Sequence, residues 1–265
     1  MKCEEIKKLT DTALAELIHA LEQGKSECLQ IYLRTMARFH RYSWGNVLLI
    51  ATQTPHATRV AGYQAWLKMN RHVKKGEKGI VIIAPMVTRK RETEISEDDE
   101  TRLFGFRSAY VFDISQTEGE PLPEFAQVKG DPREFADRLK EFATEKGITI
   151  EFSNDIGKAS GVSTGGSIRL KPGLPPAEEF SVLVHELAHE RLHHGERREG
   201  LTETVRETEA EAVAFVVSQA IGLDTNSAAA DYIQIYHGDK AALMDSLGFI
   251  QRTAADILAF ISQSQ

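Results

Sequence analysis

The chain has 265 residues, 42% apolar and 27% charged, an ordinary balance for a globular protein and a length that suits one large domain or two small ones. No apolar run approaches the roughly 20 residues of a membrane-spanning helix, and the polar start Met1-Lys2-Cys3-Glu4-Glu5 gives no reason to expect a secretory leader. Two cysteines, Cys3 and Cys28, argue against a disulfide framework and fit a reducing cytoplasm, so the expected localisation is cytoplasmic.

In chain order, residues 4–23 read as an amphipathic helix, with Ile6, Leu9, Ala13, Leu14, Leu17, Ile18 and Leu21 at helical spacing and Gly24 as a stop. Helices are also predicted over 26–39, 46–52 and 63–69, with Pro55 as a break. Gly76 to Gly79 is a turn, and residues 80–85 (Ile-Val-Ile-Ile-Ala-Pro) read as a buried strand. An acidic stretch, 92–102, reads as a solvated tip before an antiparallel strand over 104–113. Gly119, Pro121, Pro123, Gly130 and Pro132 mark a linker, so domains are expected at 1–125 and 131–265. The second opens with a helix over 132–146, N-capped by Asp131, then strands over 148–152 and 167–170. Long helices follow over 177–193 and 203–221, and the tail, 227–262, is mostly helical.

The net charge of −7 conceals a split: residues 30–91 hold twelve Lys or Arg and a single acid, Glu77, a local balance of +11 that leaves −18 for the rest. Such a segment suits a polyanion, nucleic acid first, and the plainer alternative is a solubilising basic surface. Aromatics interleave with its cations: Arg41, Tyr42 and Trp44 near Asn46, then Tyr63 and Trp66 ahead of Lys74, Lys75 and Lys78. Stacking aromatics in a cationic groove are how single-stranded nucleic acid is held. Trp44 and Trp66 can each be a stacking residue or a core residue. The turn Val73-Lys74-Lys75-Gly76-Glu77-Lys78-Gly79 lacks the Gly-Lys-Ser/Thr ending of a nucleotide-binding loop, which excludes ATP or GTP binding of that type.

The strongest chemical signal is His185-Glu186-Leu187-Ala188-His189 inside a predicted helix. A four-residue step turns an α-helix by about 400°, so both imidazoles leave one face and can reach one ion. Glu186, rotated by about 100°, can take a proton from a metal-activated water without ligating. Val182, Leu183, Leu187 and Ala188 make the helix a buried one, where unpartnered histidines are costly. The next helix offers the third ligand: Glu207, Ala210, Glu211 and Ala214 share a face, and the two alanines permit close approach. Glu207 is assigned as ligand and Glu211 as acceptor for a ligand histidine's second N–H, the reverse assignment staying open. Glu209 points elsewhere and is expected in solvent. His193 lies about 12 Å along the axis from His185, too far for the same ion, and with His194 suits a helix C-terminus. The strand over 167–170 is a candidate edge for pairing an extended substrate. Tyr232, Tyr236 and His237 are candidates for stabilising an oxyanion.

These residues carry a family resemblance. The runs Tyr42-Ser43-Trp44-Gly45-Asn46-Val47-Leu48-Leu49, Gly62-Tyr63-Gln64-Ala65-Trp66, Val73 to Gly79, and Val111-Phe112-Asp113-Ile114-Ser115-Gln116-Thr117 resemble the N-terminal single-stranded-DNA-binding domain of ArdC-type antirestriction proteins. The C-terminal part resembles that family's zincin-like metallopeptidase domain, with His185 to His189 matching its gluzincin-like zinc helix and Glu207-Thr208-Glu209-Ala210-Glu211 its glutamate helix. The resemblance implies single-strand binding, mobile-element association and protection of incoming DNA from restriction. The glutamate helix is also similar to that of small metallopeptidases that cleave phage or element repressors.

The expectation is therefore an α+β protein of two domains. A small basic module binds single-stranded DNA, and a zincin-like domain uses Zn2+, held by His185, His189 and Glu207, to hydrolyse a peptide or protein substrate with Glu186 as general base. The alternatives are a regulatory protease that cuts a repressor of a mobile element, and a non-enzymatic DNA-binding protein with structural zinc.

Overall fold

The computed structural model describes residues 3–23, 26–88, 102–121, 132–223 and 240–263. The fold is mixed α+β, and no helix among the described residues is long and apolar enough to cross a membrane. Two compact units emerge. One comprises Met1–Glu16 with Leu48–Leu122, and the other Leu17–Val47 with Pro123–Gln265. This differs from a division into 1–125 and 131–265. Helix α2 (Ser26–Arg38) packs against α8 (Glu203–Ala220), which draws residues 17–47 into the second unit.

Helix α1 (Cys3–Glu22) buries Ala13, Leu14, Leu17 and Leu21 at helical spacing, and α3 (Trp44–Gln53) buries Val47 through Ala51. In the first unit, β1 (Val60–Gly62), β4 (Arg102–Asp113) and β3 (Ile80–Thr88) form an antiparallel sheet in the order β1-β4-β3. The side chain of Gln53 acts as a strand's backbone on the β3 edge: its amide donates to the Val81 carbonyl and accepts from the Val81 N–H, both at 3.0 Å. A second ladder joins β2 (Arg71–Val73) to β5 (Thr117–Gly119).

Asp113 ties this unit together. One carboxylate oxygen accepts from the Thr58 and Arg59 N–H groups at 2.7 and 3.0 Å, and the other from the N–H and hydroxyl of Ser115 at 3.0 and 2.6 Å. The 3-10 turn Ile114–Gln116 is capped reciprocally, since Gln116 returns a bond to the Asp113 N–H. Arg71, also buried, donates to the Thr117 hydroxyl and to the carbonyls of Thr117 and Gly119.

The second unit is built around α6 (Pro176–Leu192) and α8. Both are apolar around most of their circumference: Phe180, Leu183, Val184, Leu187 and Ala188 on α6, and Ala210 and Ala212 through Val217 on α8, are buried. Helix α5 (Pro132–Glu145) packs on α6, and α9 (Lys240–Ile261) covers α8 and α5 with Leu243, Leu247, Ile250, Ala254, Ile257, Leu258 and Ile261. A short α7 (Gly195–Gly200) links the central pair. A small sheet in the order β6-β8-β7 (Thr149–Phe152, Ser167–Leu170, Gly161–Ser163) lies against α6 through β7 and β8.

Because Asp113 holds four donors, Asp113→Ala is expected to destabilise the protein by about 2–4 kcal/mol, roughly the desolvation cost of two or more orphaned N–H groups. Urea denaturation measures it. The hydrogen bonds from Ser115, Arg59 and Thr58 hold the Asp113 pKa below its ordinary value despite burial, which alone would raise it. Its stabilisation is therefore complete above the unfolded carboxyl's pKa, near about 3.9, and is lost as pH falls through the lower folded value.

Candidate metal centre

Pro176 at the first turn of α6 suits a helix start, and Glu178 and Glu179 complement the dipole there. About two and a half and three and a half turns beyond Pro176, the helix delivers His185 and His189. Their Nε2 atoms lie 3.0 Å apart. Glu207, in the second turn of α8, brings one carboxylate oxygen to 3.3 Å from His185 Nε2 and the other to 3.4 Å from His189 Nε2. Bonds of 2.0–2.1 Å to a tetrahedral ion require ligand atoms about 3.3–3.4 Å apart. Among the described residues these three form the group that could hold a metal ion. Ala210 and Ala214, both buried, lie on the α8 face that lets the two helices close up.

Glu211 Oε2 lies 3.5 Å from His185 Nδ1, on the far side of that ring from Glu207. Burial works to lower the His185 pKa, but the hydrogen bonds of Glu207 and Glu211 outweigh it and push it up to about 9. The neighbouring imidazoles of His185 and His189 hold the Glu207 carboxylate well below the usual range. Glu186 is buried, and that burial raises its pKa.

Behind Glu186 runs β7. A Cβ at Gly161 would fall 2.6 Å from a Val182 methyl and 2.9 Å from Glu186 Cγ, so glycine lets this backbone lie directly against α6. The Ser163 hydroxyl hydrogen-bonds Glu186. The β7–β8 turn is clamped to the same helix, for the N–H groups of Gly165 and Gly166, both at positive φ, donate to Glu190 at 2.8 and 2.6 Å. The strand over 167–170 is β8, paired on both sides, and is not an edge. Among the described residues the strand beside Glu186 with an unpaired side is β7, hidden in sequence by its three-residue length inside a Gly/Ser-rich stretch.

Glu209 is another correction. Two helical steps do turn it by about 200° from Glu207. That direction meets α9 and the end of α6, not water: Glu209 is 1% exposed and accepts bonds from His193, Arg197 and Ser246. Tyr232, Tyr236 and His237 lie outside the described residues.

The basic-segment residues divide between the units: Arg41, Tyr42, Trp44 and Asn46 fall in the second, and Tyr63, Trp66, Lys74, Lys75 and Lys78 in the first. Trp66 is a core residue, 1% exposed, with its indole N–H donating to the Phe112 carbonyl at 2.9 Å, which corrects the base-stacking reading of this ring. Asn46 is buried in α3, and Tyr42 packs edge-on against Phe39. Trp44 is half-buried. Lys74 is exposed but donates to the Ser115 carbonyl at 2.8 Å, while Lys75, Lys78 and Tyr63 are exposed. Sequence reasoning overlooked Phe106 and Tyr110, four residues apart and therefore on one face of β4, each about half exposed (48% and 50%). The signal was there: aromatics alternating with Arg107 and Ala109 in a strand that keeps its other face, Val111 with Ile80 and Ile82, for the core.

Comparison with known proteins bears on both units. A family model described as the N-terminal domain of anti-restriction factor ArdC matches residues 7–112. An uncharacterized protein of Bacillus anthracis is 26% identical over 87% of this chain, and the chain spans about half of that relative's length (46%). The metal-free crystal structure of antirestriction protein ArdC from the R388 plasmid superposes with a TM-score of 0.55 at 18% identity, covering 95% of this chain and 96% of that one. The Mn(II)-bound structure of the same protein gives 0.57 at 19% identity, covering 97% and 99%. Residues 7–112 match the model of the ArdC N-terminal domain, and the chain carries the fold of ArdC over nearly its whole length.

Proposed function

We propose that the protein is a single-stranded-DNA-binding zinc metallopeptidase acting in antirestriction. The observation that carries the peptidase half is the convergence of His185, His189 and Glu207, whose ligand atoms, one from each, lie within 4.8 Å of one another, with a buried carboxyl, Glu186, beside them. Glu207 has a side chain 56% exposed, so the cluster opens to water on that side, as a catalytic site requires and a closed structural site does not. The Mn(II) held by ArdC of R388 supports a divalent ion in this fold, and two imidazoles with one carboxylate are a donor set that suits zinc.

A zinc ion at this cluster supplies Lewis acidity for the scissile carbonyl and for the attacking water. Glu186 takes the proton that water loses on attack and delivers it to the amine as the C–N bond breaks, leaving a carboxylate and a free amine. Burial, by raising its pKa, brings Glu186 nearer to neutrality and makes it a better proton carrier. Glu211 orients His185 through Nδ1. An extended peptide would pair with the outer edge of β7, which places its backbone beside Glu186.

Single-strand binding is supported by the ArdC N-terminal domain and by the exposed aromatics and cations of the first unit: Tyr63, Phe106 and Tyr110 with Lys75 and Lys78.

Metal analysis tests the first half. The purified chain should hold about one zinc. His185→Ala/His189→Ala should lose it, and Glu207→Ala should weaken it more than Glu211→Ala. Glu186→Gln should keep the metal and lose peptide hydrolysis by at least about 100-fold. Full zinc in the double histidine variant would defeat the assignment.

The raised His185 pKa adds a pH dependence. Below about 9 the metal-free ring carries a proton that binding must displace. Zinc affinity should therefore rise about tenfold per pH unit between roughly pH 7 and 9 and level off above. Chelator competition across that range measures the slope.

For DNA, Lys74→Ala/Lys75→Ala/Lys78→Ala in the full chain should flatten the salt dependence of single-strand binding by about 0.7 per lost phosphate contact. Tyr110→Ala should weaken binding by about 1–3 kcal/mol with little change in slope. Equal affinity for duplex and single strands in a titration across salt concentrations would exclude the stacking account.

A further inference from the structure

His193 takes no part in the metal cluster, yet its side chain is fully enclosed (0% exposed) one turn beyond His189. Its Nδ1 lies 2.9 Å from Nδ1 of His189, and its Nε2 lies 2.9 Å from Glu209 Oε2. Glu209 in turn receives the Arg197 guanidinium, 2.8 Å from each of its oxygens, and the Ser246 hydroxyl. The chain of contacts crosses four helices, α6, α7, α8 and α9.

Hydrogen-bond chemistry, taken with the metal-site reading, assigns the protons of this row. A carboxylate surrounded by a guanidinium, a hydroxyl and an imidazole accepts from all three. The His193 contact to Glu209 is therefore an Nε2–H donation. In the metal-site reading His189 presents a lone pair at Nε2 and carries its hydrogen on Nδ1, which the Nδ1 of His193, 2.9 Å away, is placed to accept. That leaves the Nε2 lone pair of His189 facing His185 and Glu207, where a metal ligand must present it.

We propose that His193 and Glu209, anchored by Arg197 and Ser246, form a relay that locks His189 in its Nδ1–H tautomer and fixes its ring plane for metal binding. His193 and Glu209 are positioning residues, and the proposal rests on the metal-site reading above. The relay does for His189 what Glu211 does for His185, but from the protein interior and through an intervening ring. It also couples α9 to the metal site, since Ser246 is the contribution of that helix.

Two measurements on the full-length protein test it. In the metal-free chain, two-bond 1H–15N correlation spectra should show His189 as the Nδ1–H tautomer and His193 as Nε2–H. The opposite tautomer at His189 overturns the proposal whatever the metal does. In chelator competition, His193→Phe, which keeps a ring and removes both nitrogens, should weaken zinc binding by about 10–100-fold, and Glu209→Gln by roughly tenfold. Leu192→Ala, a buried neighbour outside the relay, should lower the melting temperature of the metal-free protein and leave zinc affinity within about threefold. If His193→Phe does not fold, His193→Gln is held to the same criterion. Zinc affinity of the His193 variant within about threefold of wild type, or an equal loss in Leu192→Ala, overturns the relay. Wild-type protein that takes up no zinc overturns the metal reading instead, and the tautomers still decide the relay.

Discussion

The close packing of α6 against α8 is the constraint on which the second unit and its site depend. Each helix is apolar around most of its surface, so each must be enclosed by others, and the alanines at 210 and 214 sit on the α8 face that bears the site. Only at such short separation can a carboxylate on one helix meet two imidazoles on the other at 3.3 and 3.4 Å. The donors stand on rigid helices, as a metal site needs if its geometry is to be held to a fraction of an ångström. The apolar core sets the helix positions, and the helix positions set the geometry of the His185–His189–Glu207 cluster.

The polar residues near that core follow a second rule. Glu209, His193 and Ser246 are as buried as the leucines around them, and unpaired they would each cost several kcal/mol. They are tolerated because each is partnered in a row that ends at Arg197, which is itself packed over the Phe249 ring. A purely structural purpose would be served as well by apolar side chains of the same volume. A row of hydrogen bonds does something those could not, which is to specify where protons reside on the imidazole of His189, a metal ligand in the proposed reading.

In the first unit several of the residues that carry the resemblance to the ArdC N-terminal domain are structural. Asp113, Ser115, Gln116 and Thr117 form a capped turn and the seat of Arg71, and Trp66 closes the core over Phe112. Their hydrogen bonds stabilise the β4–β5 connection, which leaves the outward faces of β4, α4 (Tyr63–Lys68) and the Lys74–Lys78 turn to meet a partner.

Much of this was legible in the residues themselves. Hydrophobic periodicity and Pro and Gly punctuation placed the long helices and the β3–β4 pair to within a few residues, and the four-residue step put His185 and His189 on one face, because both signals are local properties of the backbone. Helical phase also brought Glu207 and Glu211 to the side facing α6 and turned Glu209 away. What occupies the space Glu209 turns into is a question about other elements, and only the arrival of α7, α9 and His193 made that glutamate buried and bonded. The same holds for Trp66, whose sequence neighbours are cations but whose spatial neighbours are the core, and for β7, three residues long and recognisable only by its pairing with β8. Sequence determines which way a side chain leaves its own helix or strand; tertiary structure decides whether water, a core or a partner is waiting there, because burial is a property of packing between segments distant along the chain.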